Sequence, residues 1–222
     1  MQSEDPISID QTSPALEVAV YQISGELQDS ALWIDHVNQL LQKVPGFMSR
    51  VVHRSLSSKS TWMDLIQWDS PKSAALSRKA FSNGALKQLH DTFVTSVELR
   101  KQFRPYLQCG MPPNLPLEKT IELAVYRVQP GLGESYTKVF DKMHKVLQSH
   151  PSFLYRQCGK ALVEAQWYMD YIFWEDSASH SLASFERRPE MKAFFDMIYD
   201  VPYFHHFRIV PENQSYSFGG FI

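Results

Sequence analysis

Cysteine is nearly absent: Cys109 and Cys158 are the only two in 222 residues. A disulfide framework is therefore not expected, and a reducing, cytoplasmic setting is the default. Charge of one sign is lacking too. The formal net charge is −2, and Lys and Arg form no cluster. Nucleic-acid phosphates and anionic membranes need a concentrated positive field, so neither is an expected partner. No apolar run is long enough to span a bilayer. Met1 to Pro14 is polar and acidic, which reads as a disordered arm and not as a signal peptide.

Several chemistries are excluded the same way. There is no Gly-x-Ser-x-Gly elbow, and neither cysteine carries a sequence signature of activation. Pro130-Gly131-Leu132-Gly133 lacks the rest of a dinucleotide fingerprint. No two histidines sit at i, i+4 on one helix, and none has an acidic companion at ligand spacing. Neither a metal nor a cofactor is expected.

What the chain does have is a repeat. Leu16-Glu17-Val18-Ala19-Val20-Tyr21 returns as Ile121-Glu122-Leu123-Ala124-Val125-Tyr126. Pro45-Gly46-Phe47 with Arg50 returns as Pro151-Ser152-Phe153 with Arg156, and Asp64 and Trp68 return as Asp170 and Trp174. The spacing is 105 residues at first and 106 afterwards, too long for a solenoid. One small domain was duplicated and fused. The expected organisation is an arm over 1–14, a first repeat over 15–108, a proline-rich linker over 109–119, a second repeat over 120–210 and a tail over 211–222. The tail's Tyr216, Phe218, Phe221 and Ile222 suggest that it docks.

Within a repeat the hydrophobic period alternates. Leu16 to Ile23 reads as a strand. Trp33, Val37, Leu40, Leu41 and Val44 fall at helical spacing, with Asp29 or Ser30 as the expected N-cap and Pro45-Gly46 as the stop. Phe47 to Arg54 and Thr61 to Trp68 form a hairpin. Ser70-Pro71 opens a second helix that breaks near Asn83-Gly84 and continues through Leu86, Leu89, Phe93 and Val97. A last strand covers Gln102 to Leu107. The second repeat follows suit, with a helix starting near Asp176 or Ser177, breaking at Pro189 and resuming through Phe194 and Ile198, and a last strand over Tyr203 to Val210. The order β-α-β-β-α-β is the ferredoxin-like split unit, and the class is α+β. Its helices cover one face of the sheet, so the other needs a partner sheet, which the second repeat supplies.

Pro-Gly-Phe after the first helix, followed by a hairpin ending in Trp68-Asp-Ser-Pro-Lys-Ser-Ala74, resembles the dimeric α+β barrel superfamily, nearest its antibiotic-biosynthesis-monooxygenase-like branch. Trp174-Glu175-Asp176-Ser177 resembles a second copy. The resemblance covers nearly all of both repeats and implies an intrachain barrel, a pseudo-dimer on one chain that is open to further association.

Arg50 and Asp64 flank the hairpin turn and are expected within reach of a cross-strand ion pair, which Arg156 and Asp170 repeat. They either line the barrel cavity and orient a polar ligand, or hold the hairpin in register. Trp68 and Trp174 either contact a ligand or pack between sheet and helix. The resemblance to haem-degrading members implies a Trp here and a His nine residues on, but Ser77 and Ala183 occupy those places. His53 and His144 are the candidate general bases. Three functions follow. One is a cofactor-independent monooxygenase on a quinol or polyketide-like phenol, as the resemblance implies. The others are a non-catalytic small-molecule-binding module and a haem-binding protein using His180 or His206.

Overall fold

A computed structural model describes residues 13–24, 27–110, 119–175 and 187–210. The first repeat runs β1 (Ala15–Ile23), α1 (Leu27–Leu41), β2 (Phe47–Ser55), β3 (Thr61–Trp68), α2 (Pro71–Ser82), α3 (Gly84–Phe93) and β4 (Val94–Gly110). The second runs β5 (Thr120–Val128), α4 (Gly133–Gln148), β6 (Phe153–Ala161), β7 (Trp167–Trp174), α5 (Pro189–Phe195) and β8 (Ile198–Ile209). The expected tail, residues 1–12 of the arm, residues 111–118 of the linker, His180 and the helix start at Asp176 or Ser177 lie outside the described residues.

The eight strands close into one barrel in the order β1-β3-β2-β8-β5-β7-β6-β4. Each repeat contributes four antiparallel neighbours, and two seams join them. At one, β2 pairs with β8 through His53↔Ile209 and Ser55↔Phe207; at the other, β4 pairs with β6 from Phe103↔Ala161 to Gly110↔Tyr155. Closure gives every strand a neighbour on both sides, over only part of its length at the two seams.

Three apolar clusters follow from period-two alternation. One takes residues from all eight strands, among them Val18, Met63, Phe103, Leu123, Tyr171 and Phe207, and so fills the barrel interior. The second joins the outer face of the first repeat, including Tyr21, Val52, Trp62 and Trp68, to Trp33, Ile34, Val37 and Leu41 of α1 and to Ala74 and Leu86. The third does the same for the second repeat, with Tyr126, Tyr136, Phe140, Ile172 and Phe194.

Some elements depart from the sequence reading. α1 is already helical from Leu27, ahead of the expected caps, because Leu27, Gln28 and Ala31 favour helix. The helical face expected through Val97 stops at Phe93. Val94, Thr95 and Val97 favour strand, and Val94 and Val97 pair with Ile23 and Tyr21. β4 therefore spans 17 residues, beginning ahead of Gln102 and running on through Cys109 and Gly110, which pair with β6. Pro105 lies in this strand at a register shift, where the missing N–H removes no regular ladder bond. α5 begins at Pro189, in the first turn where proline is tolerated, and Ile198 opens β8.

Candidate functional site

The outer face of the first sheet carries a row of charges roofed by helices. Arg50 and Asp64 both project there, not into the barrel interior, so the cavity position open to them in the sequence is corrected. The interior is taken by the other parity, Val51, Met63 and Leu65. A register shift between Phe47 and Ser49 sets Arg50 opposite Ile66 and Val52 opposite Asp64. The pair is diagonal, with Nη2 2.8 Å from Oδ1. Arg50 also donates to Asn38 Oδ1 (2.9 Å) and the Ile34 carbonyl (3.3 Å) on α1, and lies over the Trp33 ring. Tyr21 donates its hydroxyl to Asp64 at 2.9 Å. Burial pushes the Asp64 carboxyl above its usual range, against the pull of Arg50. Burial, with the Asp64 charge, raises the Tyr21 hydroxyl well above its ordinary value.

One strand further along, Glu17 is fully buried and gathers four side-chain donors: Trp68 Nε1 (3.2 Å), Ser77 Oγ (2.8 Å), Arg100 Nε (2.7 Å) and Gln102 Nε2 (3.0 Å). Trp68 is thus tied to the sheet by its indole nitrogen and packs in the outer cluster. Glu17 was visible in the sequence as part of the opening repeat, but a lone Glu in an apolar strand carries no signal of a hub.

Between these two groups lies a cleft lined by Ala19, Tyr21, Trp33, Asp64, His90 and Arg100, with Phe81 and Leu86 as its apolar walls. It is narrow: the centre of a water-sized sphere can sweep only about 20 Å³, room for about one water. Its outer wall is α3, of which only Leu86 is fully buried. His90 enters from α3, and burial, then the Arg100 charge, lowers its pKa from 6.5, so the ring is neutral at pH 7. The Arg100 guanidinium stacks on Phe81 at 3.8 Å and pairs with Glu17 at 2.7 Å.

The second repeat keeps the frame and changes the contents. Arg156 pairs with Asp170 at 2.5 Å and turns to His144 on α4 at 3.1 Å, as Arg50 turns to Asn38. Arginine only donates, so His144 Nδ1 accepts and the ring is held neutral. Burial and the Arg156 charge lower its pKa accordingly. Tyr126, the counterpart of Tyr21, bonds Tyr136 at 2.9 Å. Tyr136, Tyr168, Phe140 and Phe194 pack together where the first repeat has its cleft. Trp174 donates to Glu122 at 3.2 Å, repeating the Trp68–Glu17 bond, and His206 Nε2 stands 3.7 Å from the same carboxylate.

His53 lies elsewhere, on the interior parity of β2 and fully buried. Nδ1 is 3.2 Å from the Met63 carbonyl and Nε2 is 2.7 Å from the Tyr171 hydroxyl. A carbonyl only accepts, so Nδ1 carries the proton and Tyr171 donates to Nε2. Burial brings the pKa down to about 3. The two expected bases are therefore not brought together. His53 is enclosed in the core and His144 serves Arg156, while His90, not singled out in the sequence, faces the cleft. Among the described residues no group of three or more His, Cys, Asp or Glu is placed to hold a metal, and no helix is long and apolar enough to cross a membrane.

No family model and no curated protein matches the chain. Solved structures do. An anthrone oxidase-like protein superposes with a TM-score of 0.69 at 15% identity, covering 92% of this chain and 94% of the other. Chlorite dismutase from Candidatus Nitrospira defluvii, solved with imidazole, gives 0.63 at 11% identity over 92% and 94%. A ferredoxin-fold protein of Listeria monocytogenes related to antibiotic biosynthesis monooxygenases gives 0.51 at 8% over 90% and 96%. The chain thus has the fold of the dimeric α+β barrel superfamily, shared with its monooxygenase-like and chlorite-dismutase-like neighbours, with both halves of the barrel on one polypeptide.

Proposed function

We propose that the cleft of the first repeat binds a small electron-rich aromatic, a quinol or polyketide-like phenol, and that the protein is a cofactor-independent monooxygenase. The observation that carries this reading is the juxtaposition of a neutral His90, the Arg100 cation and the Tyr21–Asp64 bond around an aromatic-walled cleft. In such chemistry the substrate supplies the electrons. His90 takes the phenol proton, and the positive charge of Arg100 favours the phenolate. For an anthrone-type phenol, the phenolate reduces O2; one oxygen atom becomes a ring carbonyl in place of the CH2 group of the keto tautomer, and the other leaves as water with its two hydrogens.

An aromatic substrate is larger than the cleft as it stands, so entry requires α3 to swing outward. That wall carries the fewest buried side chains of the three helices on this sheet, Leu86 with Leu89 and Phe93 partly buried, so it is the one that opens at least cost. A second reading, a non-catalytic binding module, is favoured by the engagement of both expected bases, His53 with Tyr171 and His144 with Arg156.

Anthrone under air separates the two. The full chain is expected to accelerate O2 uptake and anthraquinone formation, and His90→Gln to lower the rate by about 100-fold, the usual scale for a general base. Anthrone that binds, quenching Trp33 fluorescence, without accelerated O2 uptake refutes the oxygenase and leaves the binding module. No binding at all refutes both.

A further inference from the structure

Arg100 belongs to two cavities. It lines the cleft and also a wide groove of about 360 Å³ for the centre of a water-sized sphere. The groove lies along the β4–β6 seam and is lined by Arg78 of α2, Arg100, Lys101 and Gln102 of β4, and Val163 and Glu164 from the β6–β7 connection. Both repeats build it, so neither could form it alone. Its charges are unequally balanced. Arg100 pairs with Glu17, and Lys101 with Glu164. The side-chain bond of Arg78 runs to the neutral amide of Gln102, at 3.0 Å. Three cations face two carboxylates, which leaves one positive charge without an acidic partner in the groove.

We infer that cleft and groove form one bipartite site. The aromatic ring of the ligand enters the cleft, and a carboxylate or phosphate ester at its far end lies in the groove against Arg78, with Arg100 as the shared wall. This rests on the cleft being the ligand site and names the ligand class: an aromatic phenol with an anionic substituent remote from the hydroxyl. The larger and more open of the two spaces then receives the hydrated end, and the narrow, aromatic-walled one the ring. Arg78, exposed on α2, supplies the charge-assisted bond and the dependence on salt.

The test uses the matched probes 6-hydroxy-2-naphthoate and 2-naphthol, titrated calorimetrically into the full chain at low and at 0.5 M salt. The naphthoate is expected to bind at least ten-fold more tightly at low salt. Arg78→Met should bring the two probes within two-fold while leaving 2-naphthol unchanged. Equal affinity for both probes in the unaltered chain overturns the groove and leaves the cleft reading standing. A naphthoate preference that survives both Arg78→Met and Lys101→Met also overturns it. Failure of both probes to bind overturns the cleft reading, and the bipartite site with it.

Discussion

His53 makes the stability of this barrel depend on pH in a way that one substitution removes. The ring is neutral in the folded state, with its pKa lowered from 6.5 to about 3, chiefly by burial. The unfolded chain takes up a proton below pH 6.5, and the folded chain does so only near pH 3. Between those values the unfolded state binds more protons, so stability rises with pH across that window and falls on acidification. Each pH unit below 6.5 costs about 1.4 kcal/mol, which gives about 2.7 kcal/mol at pH 4.5 and a limit near 5 kcal/mol. Protonation also breaks a bond, because Nε2 can no longer accept from Tyr171. Other carboxylates titrate in the same range, so the measurement is a difference. In His53→Gln the amide nitrogen donates to the Met63 carbonyl and the amide oxygen accepts from Tyr171, with no charge to gain. Urea unfolding at pH 7 and pH 4.5 is expected to show the unaltered protein losing about 2.7 kcal/mol more than the variant. Equal losses would refute the assignment of His53 as a neutral, enclosed core residue.

The Arg50–Asp64 pair is expected to behave as a unit. Asp64→Asn leaves a buried guanidinium uncompensated and should cost about 3–5 kcal/mol by chemical denaturation, whereas Arg50→Met with Asp64→Leu should cost less than either single change. At Arg156, His144→Ala should cost about 1.5–3 kcal/mol by removing an acceptor from a charged donor. His144→Asn should recover most of it, since Asn38 performs that task in the first repeat; no recovery would show that the two helices do not present equivalent positions. Gly46→Ala should destabilise by more than Gly131→Ala. Both glycines have positive φ, near 80°, but a Cβ at 46 would strike Ser73 and Asp69 while one at 131 meets open space. Thermal melts compare the two, and equal losses would show that the Gly46 turn gives way.

The sequence by itself determined the architecture. Alternation of period two and period 3.6, repeated after 105 to 106 residues, leaves few arrangements other than two split β-α-β-β-α-β sheets that bury their bare faces on each other. It also paired Arg50 with Asp64 and Arg156 with Asp170, because a hairpin brings fixed positions together locally. Only the tertiary structure decided which face of the sheet was inside the barrel. A strand buried on both faces, as β3 is along its whole length, has no polar side to betray the choice. That ambiguity is why the charged pairs were open to a place in the barrel and stand instead under the helices. Contacts between distant strands were equally out of sight. Glu17 reaches Arg100 across 83 residues, and His53 meets Tyr171 across 118. Neither partner has a local pattern that announces the other. The cleft itself depends on small differences between two similar halves. Arg100 stands where the second repeat has Phe204, both residues pairing with the matching alanines, Ala19 and Ala124. Asymmetry of that kind is settled by what each side chain meets after closure, and the strand order, shared by both repeats, carries no trace of it.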